Sequence, residues 1–74
     1  MKPTQFNPSP LEVEFARTIV DMKEELVSKL TNMKLDEVQT ALKEDNPYLV
    51  FKLTETDGTK HEIMVKFIQR VLED

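Results

Sequence analysis

Cysteine is absent from these 74 residues, and its absence removes disulfides, thiolate metal sites and thiol nucleophiles from consideration. Glycine occurs once, at Gly58, so no glycine-rich loop can cradle a phosphate. Histidine also occurs once, at His61, and any imidazole chemistry must rest on that ring. No stretch approaches the roughly 18 consecutive apolar residues of a membrane span, and MKPTQFNPSP lacks the apolar run of a signal peptide. The expectation is a soluble, cytoplasmic protein with no membrane partner. A positive excess is lacking too. The net charge is −4, and the ten basic residues are scattered among fourteen acidic ones, which disfavours a nucleic-acid partner.

What is present is enough apolar material, 39% of the residues, for one small globular domain. A chain this short buries only about 60–65% of its unfolded surface, so its core must hold by packing alone or with help from association. Residues 1–8, with Pro3 and Pro8 and no apolar period, read as a flexible N-terminal arm from which Phe6 can dock. Residues 9–74 read as a single α+β domain.

Ser9-Pro10-Leu11-Glu12 is a helix start: Ser9 caps, Pro10 occupies the first helical position, and Glu12 completes a capping box. The stripe Phe15, Ile19, Met22, Leu26, Leu30 and Met33, broadened by Ala16, Val20 and Val27, predicts one long amphipathic helix from Pro10 to Thr31. Leu35, Val38, Ala41 and Leu42 then predict a second helix over 35–45, ended by Asn46-Pro47. From Tyr48 the period becomes two. The segments on either side of Asp57-Gly58 predict a β-hairpin packed on the long helix.

The side chains select the hairpin register. A two-residue turn would set Leu53 opposite Glu62 and mix polar with apolar on both faces. A three-residue loop, Thr56-Asp57-Gly58 with Gly58 left-handed, sets Leu49 opposite Val65, Phe51 opposite Ile63 and Leu53 opposite His61. It also pairs Lys52 with Glu62, and it is the preferred register. The predicted order is therefore helix, helix, strand, strand, with residues 67–74 as a short strand extension or helix.

Tests for chemistry give little. His61 has no evident partner in its own strand, and a metal site needs two or three further donors around one point. Aligning Asp57-Gly58 with a calcium loop puts Leu53 and Met64 where carboxylates are required, which rejects that motif. No catalytic residue, metal or cofactor is predicted, and the chain is not expected to be an enzyme. By elimination the expected role is a small protein-interaction module, self-associating as a homodimer or binding a protein partner through the hairpin face or edge. Tyr48, Val50, Met64, Lys66 and Ile68 are the candidate contact residues. A nucleic-acid-associated regulator using Lys52, Lys60, Lys66 and Arg70 is the first alternative, and a small-ligand binder the second.

Overall fold

The computed structural model describes residues 9–72; Phe6 and the proposed arm, together with residues 73 and 74, lie outside them. Two helices are followed by three strands: α1 Pro10–Asp21, α2 Lys23–Ser28, β1 Met33–Ala41, β2 Tyr48–Glu55 and β3 Lys60–Lys66. The strands form one antiparallel sheet in the order β1-β2-β3, so the hairpin's first strand is the sheet's centre.

The predicted helix start is present in full. Ser9 Oγ accepts from the Glu12 N–H, Glu12 accepts from the Ser9 N–H at 3.0 Å, and Pro10 lies in the first turn. The single long helix is not. Helical geometry breaks at Met22, whose N–H is shared between the carbonyls of Thr18 and Ile19, before α2 resumes. The charges give a reason: α1 ends on Asp21 with no basic residue in its last turn, against the helix dipole, and Asp21 would repel Glu25 across a continuous turn. Which residues face the sheet also departs from the predicted stripe. Ala16 and Val27 are buried, whereas Phe15, Met22, Leu26 and Leu30 are exposed. The helices meet the core along the flank of the stripe, through Ala16 and Val27.

In place of the predicted second helix over 35–45, residues up to 41 belong to a strand and 42–45 to the turn after it. Asn32, left-handed at φ 57°, turns the chain out of the helical segment, and β1 then pairs with β2 from Met33↔Glu55 to Ala41↔Tyr48. The register shifts between Leu35 and Glu37, leaving Asp36 as the extra residue of a bulge. That one residue explains the error. It lengthens the spacing of the sheet's inward residues from two to three, so Leu35 and Val38 imitate a helical repeat.

The β2–β3 register is the one predicted, from Tyr48↔Lys66 through Leu49↔Val65, Phe51↔Ile63 and Leu53↔His61 to Thr54↔Lys60. Gly58 has φ 95° and donates its N–H to the Glu55 carbonyl at 2.8 Å, while the Thr59 N–H bonds Asp57 Oδ1 at 2.9 Å. Both turn residues are doing what their types allow. Beyond Lys66 the chain forms neither strand nor helix through residue 72, in contrast to both predicted outcomes. One ladder bond does continue there, from the Phe67 N–H to the Pro47 carbonyl. Glu12 then anchors the segment, its second oxygen accepting the Gln69 N–H at 3.0 Å.

The core sits between the helices and one face of the sheet. Leu49, Phe51 and Leu53 are buried with Ala16 and Val27, and Ile19, Val20, Leu35, Val38, Val65 and Phe67 pack around them. Fully burying a leucine or phenylalanine side chain contributes about 1.5–3 kcal/mol. Three such residues on β2 make the central strand the main source of hydrophobic stability.

Candidate functional site

Three places on the described surface have the character of a site: the hairpin tip, the face away from the helices, and the outer edge of β3. At the tip, His61 does have a partner. Its Nε2 lies 3.0 Å from Glu55 Oε1, a contact that the one-face reasoning should have found, because Glu55 follows Leu53 by two residues on the same side. On the opposite side Thr54 donates its hydroxyl to Asp36, and Lys60 Nζ lies 3.4 Å from Thr54 Oγ1. Lys52 Nζ is 3.9 Å from Glu62 Oε2. The polar groups are thus paired across strands, and among the described residues no group of three or more His, Asp or Glu is placed to hold a metal ion.

The Asp57 carboxyl is held below its ordinary aspartate value, first by the Thr59 N–H and then by the Thr59 hydroxyl. This is a turn stabilised by its own side chain. It offers no acid–base pair of the kind that general catalysis requires.

Tyr48, Val50, Met64 and Lys66 lie together on the face away from the helices, as expected from the register. The third strand changes what they present. Val50, between Gln39 and Met64 on the central strand, is only 8% exposed, and Tyr48 is half-buried beside Ala41 and Lys66. Lys52 and Lys60 share this face, but Glu37 and Glu62 stand among them, and Arg70 lies past the end of β3.

Met64 is different: it is 57% exposed on β3, and its neighbour Ile63, on the helix side, is 49% exposed. Ile68 and an open groove of about 310 Å³ follow, where Leu11, Phe15, Phe67 and Ile68 are joined by Glu12, Lys66 and Gln69. Within it the Phe15 and Phe67 rings are 5.8 Å apart and tilted by 50°. The apolar surface therefore runs along one edge of the sheet rather than across its face.

No family model, curated protein or solved structure matches the chain.

The backbone of that edge is well defined. The Glu55 N–H bonds the Thr59 carbonyl and the Phe67 N–H bonds the Pro47 carbonyl. Antiparallel pairing alternates, so His61, Ile63, Val65 and Phe67 spend their backbone groups on β2. Lys60, Glu62, Met64 and Lys66 direct their N–H and C=O groups outward, where the sheet has no further strand among the described residues. This is a template for adding one.

Proposed function

We propose that this protein is a small non-enzymatic interaction module that works by strand addition at the outer edge of β3, with a second copy of itself as the first partner. The observation that carries the reading is the edge: outward backbone groups from Lys60 to Lys66, no bulge, and two large exposed side chains at Ile63 and Met64. Main-chain hydrogen bonds give such an interface its affinity, and the alternate side chains give it selectivity. The contact set moves accordingly from the sheet face to its margin, keeping Met64, Lys66 and Ile68 and leaving Tyr48 and Val50 beside them on the central strand. We place the module in the cytoplasm on the same footing, a reducing setting in which a fold without cysteine loses nothing.

The test is sedimentation of the full chain across the micromolar range, beside Met64→Pro. Proline at this position removes an outward N–H and no bond of the β2–β3 ladder, so the variant should keep its far-UV spectrum. Concentration-dependent association that the substitution abolishes is the expected result. A folded chain that stays monomeric at high micromolar concentration defeats the proposal.

A further inference from the structure

We infer that the partner strand is β3 of a second copy, running antiparallel with Met64 opposite Met64, and that charge pairing at Glu62 and Lys66 selects this register. The inference rests on the edge reading above and adds to it a partner and an alignment. Only alignments that set outward-bonding residues opposite outward-bonding residues can form the ladder, which restricts the choice to shifts of two. With Met64 opposite itself, Glu62 faces the second copy's Lys66 and Lys66 faces its Glu62. On the helix side Ile63 then faces Val65, which covers a half-exposed isoleucine.

The neighbouring alignments are worse for identifiable reasons. The first shift toward the hairpin tip sets Lys60 opposite Lys66, and the second sets Glu62 opposite itself. The first shift the other way breaks both Glu62–Lys66 pairs and puts Met64 against Lys66, and the second sets Lys66 opposite itself. Like charges directly opposite each other destabilise an antiparallel pair, and opposite charges stabilise it.

The chosen alignment continues charge pairing already present, because Glu62 lies between Lys52 of its own hairpin and the second copy's Lys66. A two-fold axis through the Met64 pair keeps both helix layers on the same side of one six-stranded sheet. Both open β3 edges are consumed, so the assembly closes at two.

The test uses charge reversal in the full chain. Glu62→Lys alone sets lysine against lysine at two places in the homodimer, and Lys66→Glu alone sets glutamate against glutamate. Each should weaken self-association by about tenfold or more, two cross-strand pairs being inverted per dimer. Mixing the two variants restores two opposite-charge pairs, and the mixture should sediment as a one-to-one heterodimer of near wild-type affinity.

Because the chain has no cysteine, a single introduced one reports contact without background. Met64→Cys should oxidise to a covalent dimer, and Lys60→Cys should not. Circular dichroism of each variant checks that it is folded.

If wild type associates in a Met64→Pro-sensitive manner but the reversals have no effect or the mixture fails to recover, the alignment is overturned and the edge reading stands. If wild type does not associate at all, the edge reading falls and the alignment falls with it.

Discussion

The two edges of the sheet are built from similar lengths of chain and finished in opposite ways. Along β1, all five exposed residues, Lys34, Asp36, Glu37, Gln39 and Thr40, are polar, and the strand is bulged at Asp36. Along β3 there is no bulge, and Ile63 and Met64 are exposed among the charges. Bulges and charged side chains are the usual means by which a strand is kept from pairing with another chain. One edge carries both devices and the other only the charges, spaced so that they complement a copy of themselves. On the proposed reading, openness at β3 is selective, because the same small sheet interrupts its other margin with one extra residue.

The strongest way to break this contrast is to delete Asp36. Leu35 and Glu37 would then follow each other in unbroken alternation against Leu53 and Lys52, with every other pair of β1 unchanged. A flat β1 edge beside an open β3 edge gives each chain two surfaces for strand addition, and a chain with two such surfaces has no closed end point. Sedimentation should change from a dimer limit to a series of larger species that grows with concentration. A deletion variant that remains folded and stops at dimer would show that the bulge is not what protects β1.

The contrast between the edges also separates what was legible in the sequence from what was not. The β2–β3 register was readable because its inward residues keep a strict period of two and because Lys52 and Glu62 agree with that choice. β1 was unreadable for the reason that makes it a protected edge: the bulge at Asp36 breaks the period and leaves Leu35 and Val38 at a helix-like spacing. The helical stripe misled in another way. Phe15, Met22, Leu26 and Leu30 are the larger side chains, yet Ala16 and Val27 are the buried ones, and nothing in a period of 3.6 states which flank of a wide stripe will be buried. Of the candidate contact residues, Met64, Lys66 and Ile68 are exposed. Val50 became covered once a third strand that the period could not announce lay beside it. The His61–Glu55 contact was available from the register alone and needed only the next residue along the same face.

A smaller effect sharpens the difference in how the two edge strands are tethered. The segment after β3 is held by Glu12, a buried carboxylate that accepts from both the Ser9 and the Gln69 N–H groups. Glu12→Ala leaves two backbone donors without this partner, and a hydrogen bond to a charged group contributes about 1.5–3 kcal/mol. Since part of the site is open to water, a loss of roughly 1–2 kcal/mol in denaturant unfolding is expected. Amide exchange should quicken at Gln69 and Phe67 and stay unchanged across β1. Equal acceleration on both edge strands would mean that Glu12 supports the whole sheet and not the β3 end.

The smallest expected effect lies at the turn that delivers β3 to its register. The Thr59 N–H lowers the Asp57 carboxyl below its ordinary value, so the folded state binds this proton less readily than the unfolded chain does. The resulting stability is complete above the usual aspartate range and is lost as pH falls below it, through the lower folded value. Full exposure of the side chain keeps the contribution small. Thermal melts from neutral to strongly acidic pH should therefore show a shallow decline in this window that Asp57→Asn reduces, leaving the association at neutral pH unaltered. A variant whose acid decline matches that of wild type would remove Asp57 as a source of turn stability and leave Gly58, at φ 95°, as the residue that sets the loop.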